Sequence, residues 1–330
     1  MNPGLRQKSL FHAEMAKLLE AGFDIRKAAD VMRDTRLPKA QEALLDDLHR
    51  GLEEGKTITD AIGADRAAVS DLERHMIRAG ERGGRLAQAF RHLAEYYEMI
   101  ATARGEVIKG MIYPLVILHL GLLIGSLPGA AMLEGVKGAD LITNLIRNLV
   151  IAYALAACLF FAFRSLWKWA AHDPKPDRFL RRVPWIGKAR RDLSMARFCQ
   201  VYHACLLSGV SMTETTRVAC GSAQSGVLLE AGKKLAATAE SGHALGPAFI
   251  ESGAFPPAFA RSYATAEEAG ALDKDLDRWM KLYEADASSS IRHAAAMLPK
   301  ICYVAILLYV GWQIGRVYLG YLNGLQDMME

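Results

Sequence analysis

FHAEMAKLLEAGFDIRKAADVM at residues 11–32 and FCQVYHACLLSGVSMTETTRVA at residues 198–219 are two versions of one segment. Phe11 matches Phe198, Leu19 matches Leu206, Gly22 matches Gly209 and Val31 matches Val218, all at an offset of 187. The same offset pairs Gly55 with Gly242, Ala61 with Ala248, Glu81 with Glu268 and Gly83 with Gly270. Copy one runs on into GMIYPLVILHLGLLIG (110–125), with Pro114, and copy two into AMLPKICYVAILLYVG (296–311), with Pro299. A register kept this long is the signature of one structural unit used twice. Here each use is followed by an apolar stretch suited to a bilayer.

Working outward, both copies read as helical. Leu10, Phe11, Met15, Leu18 and Leu19 follow the 3.6-residue period. Gly22 and Gly209 stand where a helix stops, and Asp24 and Ser211 stand as N-caps of the next one, with capping-box form at Ser211-x-x-Glu214. Further helices are predicted over 37–54, after Gly55, over 67–79 and after Gly83/Gly84, with counterparts at 190–208, 212–221, 225–241, 244–250, 256–267 and 271–296. No strand-like alternation persists. The expectation is an all-α fold with two homologous helical bundles, 1–106 and 165–296, the second led by a basic linker at 165–189.

The chain has 330 residues, 52% of them hydrophobic, and a mean hydropathy of +0.09. That balance fits a polytopic protein with large water-exposed parts. The net charge of +4 comes without a block of like charge, which argues against a nucleic-acid partner. Five scattered cysteines show no metal or disulfide spacing and read as reduced packing residues. Residues 1–15 are amphipathic, without the apolar run of a signal peptide.

Three membrane helices are expected, at 107–128, 146–164 and 297–319, the third having only Ile301–Gly315 free of charge. Arg164, Lys168, Lys175, Arg178, Arg181, Arg182, Lys188, Arg190 and Arg191 follow the second, whereas the loop at 129–145 carries only Lys137 beside Glu134 and Asp140. The cationic bias places both bundles in the cytoplasm and the loop and the tail at 320–330 outside. Gly121, Gly125 and Gly129, and again Gly311 and Gly315, fall four residues apart, a ridge on which a second helix can approach closely. The second helix is either one of this chain's own or a subunit or substrate in the lipid. Pro114 and Pro299 are positions where a membrane helix can bend.

A reaction centre is not found. No GxxxxGK[ST], HExxH or GxSxG occurs, and the nine histidines make no ligand pair at helical spacing with a third donor. No catalytic, cofactor-binding or metal residues are therefore assigned. Gly80-Glu81-Arg82-Gly83-Gly84 follows no strand and reads as a helix break; Glu81 and Glu268 either complement a helix dipole or touch a partner. His119, inside the first membrane helix, is either a proton relay or a neutral packing residue.

Taken together, LLEAGFDI (18–25), AGERGG (79–84), MIYPLV (111–116), LLSGVSM (206–212) and AEEAG (266–270) resemble the F protein of type II secretion systems and the platform protein of type IV pilus assembly. The resemblance covers about 5–320. Copy one departs from it in having Ala68-Val69 where copy two has Phe255-Pro256. The resemblance implies a non-enzymatic platform in the bacterial inner membrane. Its implied partners are a cytoplasmic hexameric assembly ATPase, pilin or pseudopilin, other inner-membrane assembly proteins and further copies of itself. Gly22, Gly209, Glu81, Gly83, Glu268 and Gly270 are then candidate partner contacts. A small transporter or channel is the alternative, though His119 and Gln313 are few polar groups for a pathway, and a membrane enzyme would need a nucleophile or metal cluster.

Overall fold

The computed structural model describes residues 4–35, 37–62, 69–125 and 138–327. Among these residues there are fourteen helices and no strands. Repeat one holds α1 (Leu5–Glu20), α2 (Ile25–Arg33), α3 (Lys39–Glu53), α4 (Ile58–Ala61), α5 (Asp71–Arg82) and α6 (Leu86–Gly125). Next come α7 (Gly138–Trp169) and α8 (Pro174–Arg182). Repeat two holds α9 (Ile186–Leu207), α10 (Met212–Ser222), α11 (Gly226–Glu240), α12 (Leu245–Ser252), α13 (Pro257–Glu268) and α14 (Leu272–Asp327).

The two repeats share the same punctuation. Gly22, Gly55 and Gly84 in repeat one, and Gly209, Gly242 and Gly270 in repeat two, all have φ between +64° and +89°. Each ends a helix in the same way. After α1, Gly22 N–H donates to Leu19 O and Phe23 N–H to Leu18 O; after α9, Gly209 N–H donates to Leu206 O and Val210 N–H to Cys205 O. A left-handed residue lets the chain turn back on the last carbonyls, and glycine does so without a Cβ clash. Caps match as well: Asp24 accepts from Lys27 N–H and Ser211 from Glu214 N–H. The reciprocal capping box forms at Ser70 and Glu73.

The register of the duplication is not constant. Gly22/Gly209 and Gly55/Gly242 stand 187 apart, but the third left-handed pair is Gly84 with Gly270, 186 apart. Helices α5 and α13, and α6 and α14, likewise start 186 apart. Counted from helix start to helix start, repeat two is one residue shorter from α12 to α13 than repeat one is from α4 to α5. Gly83 therefore does not match Gly270; it caps α5 at φ −87°. Phe255-Pro256 matches Val69-Ser70 rather than Ala68-Val69, and Ser70 and Pro256 are the N-caps of α5 and α13. Gly80, Glu81 and Arg82 lie within α5, and the break is Gly83-Gly84 alone.

The chain divides into two compact units. One holds residues 1–102 with 169–291; the other holds 103–168 with 292–330. In the first unit the buried apolar residues of both repeats form one continuous core. The helical period expected of Leu10 is off by one face: Leu10 is exposed, while Ser9 and His12 are buried beside Phe11, Met15 and Ala16. Ser9 donates to Ala94 O (3.0 Å), so its hydroxyl is satisfied inside the core.

The second unit is built from the apolar parts of three helices long enough to cross a membrane, found within 86–123, 142–169 and 272–316. Helix α7 starts eight residues before 146, so residues 138–145 are helical rather than loop. Residues 320–327, expected as a tail, continue α14. Gly129, Glu134 and Lys137 lie outside the described residues. Gly121 lies against Val310, and a Cβ on Gly110 would sit 2.6 Å from Pro299 Cγ. The first and third membrane helices thus meet backbone to side chain at glycine. A Cβ on Gly311 or Gly315 would meet open space.

Candidate functional site

Each repeat places a carboxylate on the N-terminus of its short fourth helix. In repeat one, Glu81 of α5 accepts from Ile58 N–H (2.6 Å), Thr59 N–H (3.2 Å) and Thr59 Oγ1–H (3.1 Å) at the start of α4. In repeat two, Glu267 of α13 accepts from Leu245 N–H (2.8 Å) and Gly246 N–H (2.6 Å) at the start of α12. Both carboxylates satisfy donors that the helix cannot satisfy itself and meet the positive end of its dipole. The counterpart of Glu81 is thus Glu267, and Glu268 is exposed. The helix served is α4 or α12, not the long helix that follows. Adjacent glutamates at 267 and 268 made both alignments equally good as strings.

The two repeats meet along α5, which packs on α9 and α10. His75 Nδ1 is 2.6 Å from Ser222 Oγ, and Ser208 Oγ–H donates to Ala79 O at 2.6 Å. Arg197 of repeat two lies over the Tyr96 ring, 5.1 Å from its centroid, and hydrogen-bonds the Tyr96 hydroxyl. Burial pushes the His75 pKa below its ordinary value, as it does for His203 in the same interface. His92 Nδ1 of α6 stands 3.2 Å from Glu284 Oε1 of α14 and 3.9 Å from Glu95 Oε2. Gln200 donates to Glu284 at 2.8 Å. The three donor atoms of His92, Glu95 and Glu284 lie within 4.8 Å of one another. Spacing along the chain could not reveal this cluster, because Glu284 comes from the other repeat. Burial raises the Glu95 pKa, with Glu284 adding to the rise and His92 opposing it.

Two buried ionic clusters were invisible in the sequence. In repeat one, Glu73 Oε2 is 2.8 Å from Lys8 Nζ and Glu73 Oε1 is 2.9 Å from His12 Nε2. Burial by itself would raise the Glu73 pKa, but the His12 hydrogen bond and the charges of His12 and Lys8 outweigh it and hold it at about 2. The His12 ring stacks on Tyr97, with centroids 5.6 Å apart. In the second cluster Asp177 of α8, fully buried, accepts from Arg190 Nε–H at 2.6 Å and from the Ser225 hydroxyl.

In the membrane unit His119 has two partners. Nδ1 is 2.7 Å from Leu115 O and Nε2 is 2.9 Å from the Tyr153 hydroxyl on α7. A carbonyl only accepts, so Nδ1 donates to Leu115 O, and the ring joins α6 to α7 through the Tyr153 hydroxyl. Gln313 donates to the Tyr309 hydroxyl at 2.7 Å on its own helix.

The model of one protein family, described as type II secretion system (T2SS), protein F, matches residues 11–133 and again 198–322. The chain belongs to that family. The two matches fall on the two repeats and their membrane helices, so this member of the protein F family carries the family unit twice. It is 26% identical over 335 residues to the type IV pilus assembly protein PilC of Thermus thermophilus, covering 96% of this chain and 82% of that protein. It is 26% identical over 328 residues to the type 4 fimbrial assembly protein PilC of Pseudomonas putida, covering 94% and 81%. It is 25% identical over 289 residues to the type II secretion system protein F of Aeromonas hydrophila, covering 82% and 74%.

Proposed function

We propose that this protein is the inner-membrane platform of a type IV pilus or type II secretion assembly machine. In this reading the repeats are cytoplasmic and bind a hexameric assembly ATPase. The membrane helices act on pilin or pseudopilin subunits as they enter the fibre, alongside other inner-membrane assembly proteins and further copies of the chain. The protein itself carries out no chemical reaction. The observation that carries the reading is that α6 and α14 are single helices of 40 and 56 residues, each beginning in a repeat and continuing into its membrane segment. A continuous helix is a stiff element, so a displacement of its first turns reaches its last. The names of the relatives, drawn from both fibre assembly and secretion, support the same setting. A transporter finds less support, since His119 and Gln313 are engaged with tyrosines.

The experiment interrupts the stiff elements. Tyr97 and Tyr283 are buried in the repeat core, so two glycines are inserted beyond them, after Gly105 or after His293. The expected result is retained co-purification with the ATPase and lost fibre assembly. Normal assembly with both insertions would overturn the transmission role. Reporter fusions at residue 138, at residue 240 and after the last residue should read outside, inside and outside; an inside signal at the C-terminus would overturn the topology.

A further inference from the structure

The segment between the repeats, Ala170–Arg191, lies outside both family matches, and its folded form has two faces. Its inward face is fixed. On α8, Pro176, Asp177 and Leu180 are buried. Asp177 holds Arg190 of α9, and Val227 N–H of α11 donates to Asp177 Oδ2 at 3.2 Å. Gly226 N–H donates to Ala170 O at 2.9 Å. Buried charge pairing of this kind fixes one orientation of α8 on the repeat.

The outward face combines cations with aromatic rings. Lys175, Arg178, Arg182, Lys188 and Arg191 are exposed, and so are Phe179 (61%) and Trp185 (48%). Arg178 reaches Glu230, whereas Lys175, Arg182 and Lys188 form no ion pair among the described residues. Exposed rings and unpaired cations on one short segment offer both apolar area and charge to a partner.

Trp185 is strained as well as exposed. Its φ of 60° and ψ of −53° place it at the centre of a tight turn closed by Ile186 N–H donating to Pro184 O at 2.7 Å. This form of the γ-turn is rare, and a bulky residue with positive φ is an outlier. Such strain persists where the surroundings enforce it and points to a role.

We propose that this face binds the anionic phospholipid headgroups of a membrane surface. Two observations select that partner over an acidic protein. The end of α7, a candidate membrane helix, is joined to α8 by four residues folded into a turn, with His172 and Asp173 N–H both donating to Trp169 O. The cationic face is therefore tethered within a short reach of the lipid. Amphipathic aromatic rings among lysines and arginines are also the side chains that settle at headgroup level, where the negative surface potential attracts the cations.

The test uses the full chain reconstituted in vesicles of phosphatidylcholine alone or with phosphatidylglycerol. Lipids brominated just below the headgroup quench nearby tryptophans, and the difference between the unaltered chain and Trp185→Phe isolates Trp185. Quenching of Trp185 is expected to be at least about twofold stronger in the anionic vesicles. That excess should vanish at about 1 M salt, where the screening length is roughly 3 Å. It should also vanish in Lys175→Gln/Arg182→Gln/Lys188→Gln, which leaves Asp177 and Arg190 untouched and should melt like the parent. Equal quenching in both vesicle types, or none, would overturn the proposal. So would shielding of Trp185 by added polyglutamate in neutral vesicles without a response to phosphatidylglycerol, which would assign the face to an acidic protein. The comparison of the unaltered chain with Trp185→Phe decides even if the triple variant does not fold.

Discussion

The two repeats build one backbone around opposite interiors. Lys8, His12 and Glu73 of repeat one correspond to Met195, Cys199 and Phe259 of repeat two. The first set is a buried ionic cluster. The second belongs to an aromatic core in which Phe259 lies 5.8 Å from Phe198, 5.7 Å from Trp279 and 6.3 Å from Tyr263, centroid to centroid. Tyr97 and Tyr283 stand in matching places in both. The fold therefore does not depend on what fills this position. It depends on the glycine turns and on the filling being complete, whether by paired charges or by rings. Repeat one keeps a pH-sensitive interior, while repeat two holds Phe259, which cannot titrate, at the matching place.

The sharpest way to break this comparison is Glu73→Leu. It strands Lys8 and His12 without a counter-charge and should cost about 3–5 kcal/mol in denaturant unfolding of the full chain. Transplanting the apolar set with Lys8→Met/His12→Cys/Glu73→Phe should recover most of that loss. A triple variant no more stable than the single one would show that the repeats do not accept each other's interiors.

Acid separates the repeats next. The folded pKa of Glu73 is lowered from 4.5 to about 2. Its contribution is therefore fully present above about 4.5 and is lost as pH falls towards about 2. Amide exchange, corrected for its intrinsic pH dependence, should accelerate in residues 5–20 across that window more than in residues 186–207. An equal response in both would contradict the difference between the cores.

The register slip makes a smaller prediction. Gly84→Ala and Gly270→Ala should each cost about 1–2 kcal/mol, because both glycines are left-handed. If Gly270→Ala were silent, the match of Gly84 with Gly270 would fail. Smallest of all, Glu267→Gln should cost about 1 kcal/mol through the cap of α12, while Glu268→Gln, at an exposed position, should stay within about 0.5 kcal/mol. The reverse order in thermal melts would return the counterpart of Glu81 to Glu268.

Much of the fold was legible because its signals are local. Helix ends were readable at Gly22, Gly55, Gly209 and Gly242, since a left-handed stop is written in one residue. Leu10 was misread because a 3.6-residue period in a short stretch fits two neighbouring faces, and only Ala94 and Glu73 determine which faces inward. The full extent of α7 beyond 146–164 was not legible, because charged residues continue a helix without penalty once past the apolar stretch.

By itself the sequence determined the duplication, the all-helical class, the three apolar helices and the family, because repetition, periodicity and length are properties of the chain order. The tertiary structure alone decided which charges are paired. Lys8 and His12 find Glu73 across 65 and 61 residues, and His92 finds Glu284 from the other repeat. It also decided that Glu267 rather than Glu268 holds a helix end, and that Trp185 faces outward. The reason is physical: a helix is set by neighbours within four residues, whereas a buried charge is set by whichever distant group the packing brings within hydrogen-bond reach.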